Sequence, residues 1–353
     1  MTIHPVSEAR PTSDAPESTQ AGPMTGVSDL ISKGLMVQAL SVAARLRIAD
    51  RLRDRPMEAA ELASAAGAHA PTLYRLLRAL TGLGVLTQDD QSRFALTPLE
   101  RTLCAGPGSI RERAAFIGEP WVWNAWGNLY ESVMTGDSAF RRTHGMSLFA
   151  YLECHPEARS DFHRNLSAQS ELQIPSILEA HDFSHFERLV DVGGGRGALL
   201  TAILAANPKL TGVLYDLPEV VAETADIASR SGVARRFERV GGSFFDSVPP
   251  EGDCYLLKLV IHDWDDEHAV RILQNVRAEI VGGGKLLLIE FVMPSGDAFH
   301  HAKFMDLSIL VLTENGRERT DGEYRELLAA GGFALTTVIQ TDSALSIIES
   351  VPA

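Results

Sequence analysis

Apolar side chains at Met36, Leu40, Ala43, Ala44, Ile48 and Leu52 recur at helical spacing, which predicts a helix over 27–52. A short helix is expected at Ala59–Ala66. Pro71 and Thr72 open a third, whose face is Leu73, Leu76, Leu77 and Leu80 and which Gly82 and Gly84 end. "GVLTQ", the turn "DDQS" and "RFALT" then predict a small hairpin. Helices followed by a two-stranded wing make a winged-helix pattern. Residues 113–180 are mostly helical in pattern and rich in aromatics, among them Trp121, Trp123, Trp126, Phe140, Phe149 and Tyr151. Such a stripe is either core or the wall of a pocket at a domain junction.

From Phe186 the rhythm changes. "RLVDVGGG", "TGVLYD", "DCYLLKLVI" and "GKLLLIEFVM" are short apolar runs that alternate with helical stretches, and a last strand pair lies near "ALTTVIQT" and "ALSIIES". This alternation predicts a mainly parallel sheet covered by helices on both faces. Ligands of such sheets bind at the carboxyl ends of the strands. The expected organisation is a disordered tail (1–26), a winged-helix domain (27–112), a helical linker and substrate-pocket segment (113–180) and an α/β domain (181–353).

Composition narrows the function. A length of 353 residues allows two domains, and the net charge of −14 argues against nucleic acid as a partner. Tyr74, Arg75 and Arg78 would be the readout residues if the winged helix met DNA; otherwise it is a packing or dimerisation unit. Three scattered cysteines suggest a reducing compartment. No apolar run approaches the ~20 residues of a membrane span, and residues 1–25 resemble no signal peptide, so a cytoplasmic protein is expected.

Two stretches carry candidate chemistry. In "DVGGGRG", Gly193, Gly195 and Gly197 follow a strand and open a helix, where free N–H groups suit an anionic or polar ligand. Asp216 ends the next strand and can take ribose hydroxyls. The pair indicates an adenosine-type cofactor without separating NAD from S-adenosylmethionine. The second stretch, "KLVIHDWDDEHAV", sets His262 and His268 among four carboxylates. The histidines are six apart, which is not the spacing of a helical metal pair. Asp265, Asp266 and Glu267 suit the first turn of a helix. Trp264 either fills core or packs under a cofactor.

"LVDVGGGRGALL", "YDLPEVV", "GGSFFDSVP", "LLKLVIHDWDDE", "GGGKLLLIE" and "GRERTDGEYRELLAAGGF" occur in that order. As a set they resemble the S-adenosylmethionine-dependent O-methyltransferases of the plant caffeate and hydroxyindole type, with their bacterial relatives in aromatic natural-product pathways. The resemblance covers nearly the whole chain. It implies a Rossmann-like methyltransferase domain with an N-terminal winged-helix dimerisation domain, and a homodimer. It also implies that Gly193, Gly195 and Gly197 pass the methionine part of the cofactor. Asp216 would bind the ribose, with Leu217, Ser243 and Phe244 by the adenine and Lys258 and Ser170 at the polar end. Ser243 stands where the family often has an aspartate. His262 matches the family's base, and Glu290 and Glu318 match its flanking glutamates. Asp263 and Leu166 match acceptor-side positions; Trp121, Trp126, Phe149 and Phe304 are further pocket candidates, and no metal is implied. The function so implied is methyl transfer to a hydroxyl of a small aromatic molecule. Its rivals are N- or C-methylation, a hydroxylase or decarboxylase on the same fold, and a cofactor-responsive DNA-binding regulator.

Overall fold

A computed structural model describes residues 26–353 apart from 107, 223 and 225–230. The expected tail therefore lies, but for Gly26, outside the described residues.

The N-terminal unit begins with the helix Val27–Arg45. The periodic pattern continues to Leu52, but the helix does not: Arg47 takes a left-handed φ of 53° and a short helix, Ile48–Arg51, follows. The bend carries Ile48 and Leu52 into a core with Leu62, Leu77, Leu80 and Phe94. Helices Ala59–Ala66 and Ala70–Gly82 lie where the pattern placed them, the second with a proline in its first turn. The hairpin is β2 (Leu86–Gln88) and β3 (Arg93–Leu96); a two-residue strand, β1 (Met57–Glu58), pairs with β3 and makes a three-stranded antiparallel sheet. Six helices follow between Arg111 and Ala180, the last of them Pro156–Ala180.

The C-terminal unit is a seven-stranded sheet. Its strands are β4 (Arg188–Val192), β5 (Thr211–Asp216), β6 (Phe237–Gly241), β7 (Cys254–Lys258), β8 (Lys285–Glu290), β9 (Phe333–Gln340) and β10 (Ser346–Pro352). Their order across the sheet is β6-β5-β4-β7-β8-β10-β9. The first five are mutually parallel, and β10 runs antiparallel to both β8 and β9. Alternate residues feed two cores: Leu189, Leu214, Leu256 and Leu287 face one layer, Val190, Val213, Leu257 and Leu288 the other. The chain winds outward from β4 through β5 to β6, then returns to place β7 on the other side of β4. The reversal opens a crevice at the carboxyl ends of β4 and β7. The glycine loop leaves β4 there, and the stretch bearing His262 leaves β7 there. Among the described residues no helix is long and apolar enough to cross a membrane.

Candidate active site

The loop after β4 turns through left-handed glycines at 193, 195 and 197, with φ of 70°, 57° and 75°. Their surroundings differ. A Cβ on Gly193 would lie 2.8 Å from Val260, and one on Gly197 would lie 3.1 Å from Leu214 and Phe237, whereas one on Gly195 would meet nothing within 4 Å. Gly195 thus faces open space, and the other two let the loop pack on its neighbours. Asp216, at the end of β5, braces the loop: its carboxylate accepts from the Gly195 N–H at 2.8 Å and from the Leu217 N–H at 2.7 Å. Burial raises the Asp216 carboxyl, and these two N–H groups offset part of that rise.

A cavity beside the loop is lined by Leu166, Ser170, Asp191, Gly193, Gly194, Gly195 and Lys258. Lys258 Nζ donates to Ser170 Oγ at 3.1 Å. Asp191, absent from the sequence-based candidates, is 2% exposed, and its Oδ2 has no hydrogen-bond partner. Burial pushes its carboxyl up to about 7, against the pull of Lys258; burial also holds the Lys258 ammonium down at about 8. The only sequence signal for Asp191 was a carboxylate inside an otherwise apolar strand.

The apolar run Leu256–Ile261 predicts a strand through Ile261, yet β7 stops at Lys258. Leu259 takes a φ of 54°, and residues Ile261–Asp263 form a single 3₁₀ turn. The cause lies across the sheet. Glu290, at the end of β8 and fully buried, accepts from the N–H groups of Val260 and Ile261 at 3.1 and 2.9 Å. These donors are lost to the ladder, and the turn presents His262.

His262 is 6% exposed. Its Nδ1 lies 2.9 Å from Glu318 Oε1 and 3.8 Å from Glu290 Oε2; its Nε2 is 3.7 Å from Asp263 Oδ1. Burial alone would lower the imidazole, but the carboxylates of Glu290, Glu318 and Asp263 outweigh it and raise it to about 10. Burial raises Glu290 to about 7, against the pull of His262. A carboxylate can only accept, so the Glu318 contact places the proton on Nδ1 and leaves Nε2 as the lone-pair nitrogen of the neutral ring. One ligating atom from each of His262, Glu290 and Glu318 lies within 4.8 Å of the others. His268 does not join them; it bonds Asp265 at 2.7 Å. Asp265 is the N-cap of the helix Asp266–Glu279 and accepts from the His268 N–H, a contact typically worth about 1 kcal/mol.

The remaining candidates are dispersed. Ser243 Oγ accepts from the Phe245 N–H at 3.3 Å. Phe244 lies edge-on to Trp264, and Leu217 is exposed. Phe149 stacks on Trp264 with ring centroids 5.9 Å apart. Trp121 packs in a helical core against Phe116, Phe140 and Tyr151, and Trp126 packs on the same cluster. Neither tryptophan lines the cavity beside Lys258. Phe304 is half exposed against Phe299. Arg319 and Asp266 were missed as a pair, although Arg319 stands next to Glu318 in "GRERT".

Residues 126–334 match the O-methyltransferase domain, and residues 28–106 match the O-methyltransferase dimerisation domain. The chain belongs to the O-methyltransferase family. The enzyme is 40% identical over 95% of its length to a phenazine O-methyltransferase of Lysobacter antibioticus, of which it covers 99%. It is 36% identical over 88% of its length to an 8-amino-8-demethylriboflavin N,N-dimethyltransferase of Streptomyces davaonensis, of which it covers 90%. Among solved structures, it superimposes with a TM-score of 0.80 on an O-methyltransferase from neocarzinostatin biosynthesis in complex with S-adenosylmethionine and 2-hydroxy-5-methyl naphthoic acid. There the identity is 33%, and 94% of this chain and 100% of that one are covered. The N-terminal unit, for which the resemblance implies dimerisation rather than DNA binding, is of the dimerisation type.

Proposed function

We propose that the enzyme transfers a methyl group from S-adenosylmethionine to a hydroxyl of a small aromatic secondary metabolite, with His262 as general base. One observation carries this reading: a buried histidine at the carboxyl edge of the sheet, beside the glycine loop, has its Nδ1 held by Glu318 at 2.9 Å, with its Nε2 3.7 Å from Asp263 Oδ1. When bound, the cofactor supplies a methyl group on a sulfonium, so the protein's task is to position and deprotonate. The donor set fits that cofactor. Asp216 offers a carboxylate to ribose hydroxyls, with Leu217, Ser243 and Phe244 on the adenine side. Lys258 and Ser170 suit a carboxylate, the unpartnered Asp191 Oδ2 suits an ammonium, and Gly195 leaves room for close approach. Leu166 and Asp263 are assigned to the acceptor. A second copy pairs through the N-terminal unit, where Val27, Leu30, Ile31 and Leu35 are exposed.

A phenol has a pKa near ~10 and is a weak nucleophile at neutral pH. A histidine raised to about 10 by its carboxylates is matched to that proton. The same carboxylates keep the free enzyme's imidazole charged at neutral pH. The rate should therefore rise with pH on the alkaline side of an ordinary histidine. Glu318→Gln removes one stabilising charge while the amide oxygen can still accept from Nδ1. His262 then loses its proton at lower pH, so the rising limb of kcat/KM should move to lower pH. The plateau should fall, because the base is weaker. An unmoved limb would remove Glu318 from the base's electrostatics.

The reading is tested by offering phenols with labelled S-adenosylmethionine and measuring product mass with and without excess chelator. A gain of one methylene unit, unaffected by chelator, is expected. Glu290 Oε1 is engaged by two backbone N–H groups and Glu318 Oε1 by Nδ1, while the Oε2 of each glutamate is buried without a partner, so the chelator arm is what separates a metal-free base from a metal site. No methyl transfer to any phenol, or abolition by chelator, would overturn it. The N,N-dimethyltransferase relative favours one second reading, an aromatic amine acceptor.

A further inference from the structure

Arg319 has 0% of its surface exposed and is the largest fully buried side chain among the described residues. Nothing in the proposed reaction uses it. Its guanidinium donates to the carbonyl of Ile261 through Nη1 at 3.1 Å and to the carbonyl of Trp264 through Nη2 at 2.8 Å. Nε and Nη2 both reach Asp266 Oδ1, at 3.0 and 2.7 Å. Two residues earlier, the Arg317 N–H donates to the carbonyl of His262 itself at 2.8 Å. The Arg317 guanidinium also pairs with Asp266 and Glu323. Glu290 holds the N–H groups of Val260 and Ile261 from the other side. The turn carrying His262 is thus gripped by its amides on one flank and by three carbonyl contacts, at 261, 262 and 264, on the other.

We propose that Arg319 is a positioning residue for His262: its fork, countered by Asp266, fixes the turn so that the imidazole meets Glu318 and presents Nε2. An apolar side chain of similar volume would fill the space without the desolvation cost of a buried cation. It could not collect two carbonyls and a carboxylate in one plane, which is the particular ability of a guanidinium. The Glu318 contact is tied to the same strap. The Arg319 carbonyl accepts from the Met293 N–H, just past Glu290, and the Glu318 N–H donates to Asp306. A fault at Arg319 therefore loosens base and orienter together.

The proposal rests on the reading of His262 as base only for its effect on rate, so its test has a readout that needs no acceptor. In the full-length protein with ring-¹⁵N histidine, the downfield Nδ1–H resonance of His262 is assigned by its absence in His262→Ala. In Arg319→Met that resonance should shift upfield and exchange faster with water. Methyl-transfer kcat should drop about ten- to a hundredfold, the scale of a misplaced catalytic group, with the KM for S-adenosylmethionine unchanged. Arg319→Lys, which keeps the charge but not the fork, should recover part of both signals. Asp266→Asn, at a largely exposed side chain, should move them the same way by less. If Arg319→Met does not fold, the lysine and asparagine variants decide. A wild-type His262 resonance in folded Arg319 variants overturns the proposal, whatever their activity. Full activity in His262→Ala instead overturns the base reading and leaves the resonance test standing.

Discussion

Replacing His262 by alanine is expected to lower kcat for a phenolic acceptor by about 10²–10⁴-fold, the usual weight of a positioned general base. Cofactor affinity should be unchanged, because Asp216, Lys258 and Ser170 are held by contacts that do not pass through His262. The residual rate should climb with pH as the acceptor ionises unaided near ~10. An electron-poor phenol, already ionised at the assay pH, should lose far less. This pattern separates a missing base from a damaged fold, which would slow both acceptors alike. It also separates hydroxyl from amine acceptors. An aromatic amine attacks through a lone pair it already has, so its proton can leave after transfer and the variant would retain much of its rate. Steady-state kinetics with both phenols, and melting curves of the variant, make the measurement. A kcat within a small factor of wild type for an un-ionised phenol would end the assignment of His262.

The sheet and its helices were legible because their information is local. Short apolar runs and period-3.6 patterns, glycines at the β4 turn and acids at 265–267 each act within a few residues, and most of the corresponding elements lie where expected; β6, whose sequence FERVG is no apolar run, was not foreseen. The site was legible only in part. The ends of β7 and β8 meet at one rim of the sheet and bring His262 to Glu290, Glu318 reaches them from the loop between the helices Ala302–Leu312 and Asp321–Ala330, and the resemblance named all three. The division of labour between the glutamates was not legible. Glu318 bonds the imidazole, while Glu290 chiefly bonds the backbone of Val260 and Ile261 and thereby ends β7 before the apolar run does. Contacts 29 to 56 residues apart leave no periodic trace. The same applies to Arg319, since a charged residue in a loop carries no sign that it is buried. Aromatic composition left core and pocket wall open, because a large ring satisfies packing as well as recognition; Trp121 packs in a helical core.

Replacing Asp216 by alanine should weaken S-adenosylmethionine binding about ten- to a hundredfold, since hydrogen bonds to a charged group contribute about 1.5–3 kcal/mol and 1.4 kcal/mol is a factor of ten. Two losses combine in that figure. The ribose hydroxyls lose their acceptor, and the Gly195 N–H, released from its 2.8 Å bond, no longer fixes the one of the loop's three left-handed glycines that faces open space. Asp216→Asn keeps one acceptor oxygen and should fall between the two. The sign of the pH dependence follows from burial, which raises the Asp216 carboxyl above its ordinary value. The ionised form is the one that accepts two hydroxyls. Affinity of the wild type should thus be full above that raised pKa and decline as the pH falls through it. The alanine variant should lack this acidic limb. Calorimetric titration of the folded variants across pH tests both points. An Asp216→Ala protein that melts normally and binds the cofactor with wild-type affinity would remove Asp216 from cofactor binding, both as ribose acceptor and as brace of the loop.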